Sequence, residues 1–283
     1  MTDTDNPNAA GMDVRVLSSG SNGNCIFVRS GETRLLLDAG ISRRRIVQAL
    51  WEIGEDPKDL NGVLITHEHN DHIHALASLL AKYPHVAVHC SAGTAARAGL
   101  SGNALGAPRV KAGVTLDIAG ARVAVFGTSH DAAEPVGFRI DAGGCSFAYV
   151  TDLGETTAEV ECAVQGVDAM LLEANHDEKM LWGGRYPARL KRRVASARGH
   201  LSNRQAGHFL RRVASPNLGT VILGHLSASN NDPALAVDTV SSYVEEMGIA
   251  LSAAARTKAG PLLRLSPGAP HAQLPATGQL SLL

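Results

Sequence analysis

No run of apolar residues in the 283-residue chain approaches the ~18 needed to cross a bilayer. The first twelve residues, MTDTDNPNAAGM, lack the basic and apolar regions of a secretion signal. The expectation is therefore a cytoplasmic protein with no membrane partner. The four cysteines, Cys25, Cys90, Cys145 and Cys162, lie far apart and form no CxxC pair. That spacing excludes a zinc knuckle and a disulfide framework, and predicts buried, reduced thiols. No short repeat recurs, and no Pro/Gly linker divides the body. An apolar fraction of 45% with 19% charged residues excludes general disorder. One absence is local. Between residues 179 and 231 there are ten Lys or Arg and no Asp or Glu, although the whole chain carries a net charge of −1. Such a segment repels itself and attracts polyanions. Its densest part, RYPARLKRRVASAR at 185–198, supplies Arg185, Arg189, Lys191, Arg192 and Arg193 as candidate substrate contacts.

Strands and helices are mixed along the chain. DVRVL, CIFVR and RLLLD read as short strands separated by SSGSNGN and SGE turns. RRRIVQALWEIG predicts an amphipathic helix, GVLIT a buried strand, HIHALASLLAKY a single helix and HVAVHC a further strand. From 113 to 152 the alternation predicts two hairpins turned at 119–120 and 142–144. AMLLEA, TVILGH, IALSAA and PLLRL add strands, and a helix is expected from about Pro233 to Gly248. The fold class is α/β. The predicted organisation is a disordered extension over 1–12, one catalytic domain over 13–265 and a flexible tail over 266–283.

The densest chemical signal is ITHEHNDH, where His67, Glu68, His69, Asp71 and His72 follow an apolar strand directly. Imidazole and carboxylate are ligands of zinc and of harder first-row metals, and a strand end holds them rigidly. Glu68 and His74 read as solvent-facing. Other strand ends supply His130 in VFGTSHD, Asp152 in FAYVTDLG and His225 in VILGHLS. Together these are enough ligands for two adjacent divalent cations, Zn2+ or Mn2+, with Fe as a further option. A pair of such ions lowers the pKa of a shared water and stabilises both the attacking and the leaving oxygen.

HxHxDH with downstream His, Asp and His resembles the metallo-β-lactamase fold family. The blocks SSGSNGNC, LLLDAGIS, THEHNDHI, TDLG, EANHD, GRYPARLKRRV, GHLSN and GHLSASNN resemble its WalJ/YycJ-like exonuclease branch over roughly residues 13–265. Asn70, Ala75 and Ser229 depart from the residues usual in that branch. The resemblance implies a four-layer αβ/βα sandwich with a dinuclear site on one edge. It also implies hydrolysis of nucleic-acid phosphodiesters, 5′ to 3′ on DNA and in DNA repair. His67, His69 and His130 would hold one metal, and Asp71, His72 and His225 the other. Asp152 would bridge them, Asp71 would orient the attacking water, and Asp38 would support the loop.

His200 lies in the basic segment outside that ligand set, just before a capping box from Ser202 to Gln205. A helix begun there offers N–H groups to an anion, and a histidine beside a bound phosphate can act as general acid. His176 in EANHD is a second catalytic candidate. Two alternative functions use the same metals: hydrolysis of a small or cyclic phosphodiester, and hydrolysis of a thioester or lactone. At the chain end, Gln279, Leu280, Ser281, Leu282 and Leu283 resemble the pentapeptide by which bacterial DNA-processing enzymes dock on the replicative sliding clamp. The expected partners are nucleic acid, DNA in particular, and that clamp.

Overall fold

The computed structural model describes residues 11–100 and 109–268. Among the described residues thirteen strands form two sheets. The first sheet contains β1 (Met12–Ser18), β2 (Cys25–Ser30), β3 (Thr33–Leu37), β4 (Gly62–Leu64), β5 (Ala87–His89) and β13 (Leu262–Leu265), in the order β13-β1-β2-β3-β4-β5. The second contains β6 (Thr115–Ile118), β7 (Ala121–Gly127), β8 (Val136–Ala142), β9 (Cys145–Val150), β10 (Ala169–Glu173), β11 (Thr220–Gly224) and β12 (Ala250–Ala253), in the order β12-β11-β10-β9-β8-β7-β6. The nine α-helices are α1 (Arg43–Trp51), α2 (Asn70–Ile73), α3 (Leu76–Lys82), α4 (Ala92–Arg97), α5 (Ala158–Ala163), α6 (Glu178–Gly183), α7 (Ala188–Val194), α8 (Asn203–Val213) and α9 (Pro233–Ser241) among the described residues.

Period-2 alternation sorts each strand between two cores. Ile26, Val28, Leu35 and Leu37 face Phe147, Tyr149, Ala169 and Leu171 between the sheets. The alternate residues Phe27 and Leu36 pack outward on α1, α3 and α4 through Ile46, Leu50, Leu79 and Ala95. On the other side, Ala148, Val150, Met170 and Leu172 pack on α5, α8 and α9 through Val160, Phe209, Leu210 and Val240. The result is the expected four-layer sandwich. The hairpins at 119–120 and 142–144 form as read, because Ala119, Gly120, Gly143 and Gly144 all take the positive φ that tight hairpins require.

Several details depart from the sequence reading. The first strand begins at Met12, a buried residue one position before the expected domain start. Cys25, Cys90 and Cys145 are buried, but Cys162 is exposed on α5. The helix expected over HIHALASLLAKY is two, α2 and α3. The Asp71 and His72 carbonyls, which would continue the first, instead accept the Asn24 and Ala39 N–H groups at 2.8 Å, and the Ala75 N–H turns to the Ala39 carbonyl. The helix expected to reach Gly248 stops at Ser241 and is followed by a 3-10 turn at Glu245–Met247. The clamp-motif residues 279–283 lie outside the described residues. Among the described residues no helix is long and apolar enough to cross a membrane.

This stitching needs Gly40. Its N–H donates to the Asn24 carbonyl at 2.8 Å, and a Cβ there would lie 1.6 Å from the Asp71 carbonyl oxygen. Gly40→Ala should therefore push the 67–72 loop outward, with an overpacking cost of roughly 1–3 kcal/mol. Thermal unfolding followed by circular dichroism should show a fall in Tm of several degrees, and metal analysis a parallel fall in bound metal.

Candidate active site

β3, β4, β7, β9, β10 and β11 all end at one edge of the sandwich. Ligands gather just beyond the carboxyl ends of parallel strands in open α/β sheets, and here both sheets supply them. Asp38 follows β3, His67 follows β4, His130 follows β7 and Asp152 follows β9, while Glu173 ends β10 and His225 follows β11. Asp38, Asp152 and His225 have φ of 58°, 56° and 53°. Asp and His tolerate this left-handed region better than bulkier residues do, and each such residue costs about 1–3 kcal/mol unless its surroundings hold it. The chain turns sharply there, and each side chain is brought into the site.

The expected ligands converge. His67, His69 and His130 form one group of candidate metal-holding atoms, and Asp71, His72 and His225 form another. Asp152, 2% exposed, reaches both. Its Oδ2 lies 3.3 Å from His72 Nε2, and its Oδ1 lies 3.6 Å from His130 Nε2 and 3.3 Å from His225 Nδ1.

A second layer fixes the rings. Asp38, fully buried, accepts hydrogen bonds from Thr66 N–H (2.9 Å) and Tyr149 OH (2.9 Å), and its Oδ2 lies 2.7 Å from His72 Nδ1. His130 Nδ1 donates to the Gly199 carbonyl at 3.0 Å, which turns Nε2 inward. Glu173 is the candidate site residue that the sequence does not single out. It is fully buried, and its Oε1 lies 2.8 Å from His200 Nδ1 and 2.9 Å from His225 Nδ1. Its Oε2 accepts the Leu153 and Leu201 N–H groups. The available signal was a carboxylate ending the wholly apolar run AMLLE.

The charge distribution suits cations. Burial, reinforced by the neighbouring His72, holds His67 well below the ordinary imidazole value, and burial also lowers His130, so both offer lone pairs. Burial works against ionisation of Asp152, yet the surrounding imidazoles hold it well below the usual carboxylate range. Glu173 is likewise pulled down to about 2, against its burial, by His200 and His225. Burial opposes charge on His72 too, but Asp38 and Asp152 raise it to about 10. Geometry points the other way for that ring. Asn24 Nδ2 approaches His72 Nε2 at 3.1 Å, while Asn24 Oδ1 is held by the Gly20 N–H at 2.9 Å. An amide donor facing Nε2 requires a lone pair there, so the ring is neutral, with Nδ1–H held on Asp38 and Nε2 free to accept. His225 Nε2 is buried without a hydrogen-bond partner, 3.5 Å from Asp71 Oδ2. A divalent cation satisfies both the orphaned nitrogen and the uncompensated carboxylates, so the donor set fits two such ions.

Other expected residues divide. His200 is part-buried and oriented by Glu173. The start of α8 forms the capping box as read, but its donors are committed: Ser202 N–H to Gln205 Oε1, Asn203 N–H to the His176 carbonyl and Gln205 N–H to Ser202 Oγ. The anion site expected at that helix start is therefore largely filled from within the chain. His176, 2% exposed, belongs to no candidate ligand group, and burial lowers its pKa to about 4. Its backbone joins the end of β10 to the start of α8. Glu68 is not simply solvent-facing, since it accepts the Ala133 N–H at 2.8 Å and ties the His130 loop to the His67 loop. In the basic segment, Arg193 pairs with Asp131 at 2.6 Å and Lys191 Nζ donates to the Trp182 carbonyl at 2.7 Å. Arg185, Arg189 and Arg192 are exposed and have no partner among the described residues. Ser129 Oγ, which donates to the Ala197 carbonyl, and Arg198, which donates to the His130 carbonyl, fasten this segment against the His130 loop.

Comparison with known proteins gives the same architecture. Residues 33–225 match the family model described as β-lactamase superfamily domain. Exodeoxyribonuclease YycJ of Bacillus anthracis is 36% identical over 248 residues, covering 86% of this chain and 93% of that protein. Exodeoxyribonuclease WalJ of Streptococcus pneumoniae is 35% identical over 242 residues, covering 83% and 89%. The crystal structure of the metallo-β-lactamase fold protein YhfI from Bacillus subtilis superposes with a TM-score of 0.68 at 17% identity, covering 90% of this chain and 99% of that one.

Partners behind metal ligands typically contribute 10- to 100-fold to metal affinity. Glu173→Gln keeps the size of the side chain but removes the charge that orients His225. It should weaken metal binding by roughly that factor, measured by competition with a chromogenic chelator.

Proposed function

Since the chain belongs to the metallo-β-lactamase superfamily, we propose that it is a metal-dependent nuclease that removes nucleotides from DNA in the 5′ to 3′ direction, in DNA repair and in the cytoplasm. The relatives named exodeoxyribonuclease support DNA and an exonucleolytic mode. The observation that carries the metal chemistry is Asp152, whose two oxygens address two separate imidazole groups. In this reading His67, His69 and His130 would hold one divalent cation and Asp71, His72 and His225 the other, with Asp152 available to both. The ions are Zn2+ or Mn2+, with Fe as a further option. When bound, such a pair lowers the pKa of water and neutralises phosphate charge.

The chain's own groups do the rest. Asp71 is ionised and partly open to solvent, so it accepts a hydrogen bond from the attacking water and aims it at phosphorus. As the P–O bond to the leaving nucleoside breaks, that oxygen needs a proton. His200, with Nδ1 held on Glu173, delivers one from Nε2. Asp38 and Glu173 keep His72, His225 and His200 in register without touching substrate. His176 acts in the same indirect way, by holding the start of α8. Arg185, Arg189 and Arg192 draw the phosphate backbone toward the edge without reading its sequence. These uncommitted cations favour a polymer over the alternative of a small or cyclic phosphodiester.

The test is a digestion panel of end-labelled single- and double-stranded DNA, RNA and a nitrophenyl phosphodiester. DNA should be shortened from its 5′ end, and Asp152→Ala should lose both metal and activity. His200→Ala should keep its metal and lose about 10²- to 10⁴-fold in rate on DNA, with part of the loss recovered on the nitrophenyl ester. Faster turnover of RNA, or of the small ester alone, would overturn the DNA assignment.

We further propose that Gln279, Leu280, Ser281, Leu282 and Leu283 dock on the replicative sliding clamp, which encircles DNA. A peptide of residues 274–283 should bind the cognate clamp in the micromolar range, about −7 to −8 kcal/mol. Deleting residues 279–283 should abolish clamp binding and spare hydrolysis of short oligonucleotides; equal affinity with and without them refutes the contact.

A further inference from the structure

We infer that Trp182 is a base-stacking platform for a single-stranded stretch of nucleic acid, a role that rests on the nuclease reading above. The chain has two tryptophans. Trp51, 65% exposed, ends α1 on the outer helical layer of the first sheet. Trp182, 53% exposed, stands on α6 inside the acid-free segment. An indole buries much apolar area when covered, and half of this one faces solvent. Among the described residues its ring stacks on no other ring and meets no cation.

The support under the ring is firm. Asp177 caps α6 by accepting the Met180 N–H at 2.8 Å, and its own N–H donates to the Asn230 carbonyl at 2.9 Å. Glu178 receives Ser202 Oγ and Arg204 Nε. The Trp182 carbonyl is held by Lys191 on α7. Two residues further along the same helix, Arg193 grips Asp131, whose Oδ1 lies 3.3 Å from His130 Nε2. Two side chains of one seven-residue helix thus hold the backbone that carries the indole and the Asp131 carboxylate beside His130. The two are linked through two long side chains and two residues of helix, about 3 Å of rise, a path that a short run of nucleotides covers. Arg189 and Arg192 stand on α7 and Arg185 in the turn before it, all exposed, so the helix pair that carries the indole also carries uncommitted positive charge for phosphates.

An aromatic face beside uncommitted cations is the arrangement by which single strands are bound without sequence preference, because every base has a π-face. Bases inside a duplex already stack on one another and leave nothing for the indole. The ligand is therefore an unpaired strand whose reacting end lies at the metal edge and whose bases, a few nucleotides away, rest on Trp182.

In the full-length, metal-loaded protein, Trp51→Phe leaves Trp182 as the sole tryptophan. Its emission and the polarisation of a dye-labelled, hydrolysis-resistant phosphorothioate oligothymidylate are followed in one titration. Trp182 emission should quench in step with polarisation, and a blunt duplex of equal length should not quench it. Trp182→Ala should weaken oligothymidylate binding about fivefold or more, and Trp182→Phe should restore most of that loss. Binding reported by polarisation with unchanged Trp182 emission, and wild-type affinity in Trp182→Ala, would overturn the stacking role alone. Absence of any oligonucleotide binding at low salt would overturn the nuclease reading and the stacking role with it. Quenching on concentrating the protein without nucleic acid would assign the indole to self-association instead and reject the proposal.

Discussion

A carboxylate sealed from water must find donors within the fold, and Asp38 finds them on three different elements. It accepts from Thr66 just beyond β4, faces the His72 ring on α2 and accepts from Tyr149 of the opposite sheet. Leaving a buried carboxylate short of a donor typically costs about 1–3 kcal/mol or more, so the three elements are held in a fixed relation. Tyr149 matters most for the architecture, because its hydroxyl crosses from the second sheet to a residue at the end of the first. The two halves of the sandwich are thereby locked where the candidate ligands from each must meet.

Glu173 does for the second sheet what Asp38 does for the first. Both stand where a parallel strand stops, both are fully buried, and both turn an imidazole by its Nδ1. The left-handed backbone at Asp38, Asp152 and His225 belongs to the same design. Three strained residues at one edge are tolerable because hydrogen bonds from neighbouring strands over-determine their positions. Apart from Ala119 in a hairpin turn, the left-handed non-glycine residues among the described residues all sit at the site, while the interior of each sheet follows regular alternation.

The legible part of this molecule was whatever depends on local order. HEHNDH groups its candidate ligands within six positions, and His130, Asp152 and His225 announce themselves by ending apolar runs. Strand alternation and the hairpin turns are equally local. What stayed hidden was set by distant partners. Glu173 reads as the polar end of a strand until the Leu153 and Leu201 N–H groups bury it. The break between α2 and α3 has no Pro or Gly to mark it, since it arises from Asn24 and Ala39 taking helical carbonyls. The capping box before α8 marks a helix start by local residues, but the Asn203 N–H is taken by the His176 carbonyl, a distant partner that narrows the room for an anion. Arg193 and Lys191 looked interchangeable with Arg189 in sequence, yet their partners, Asp131 and the Trp182 carbonyl, come from other parts of the chain.

The pairing of β1 with β13 bears on how the protein is made. Met12 lies opposite Leu265 and Arg15 opposite Leu262, so one flank of the N-terminal strand is completed by the last strand of the described chain. On the ribosome, β1 and β2 emerge early and pair as a local hairpin, but the outer edge of β1 stays open until almost the whole domain has been synthesised. Open strand edges attract other strands, and contacts of such long sequence separation form late. The nascent chain must therefore shield that edge through most of translation, and the second sheet, whose strands are nearly consecutive in sequence, can assemble before the first is closed.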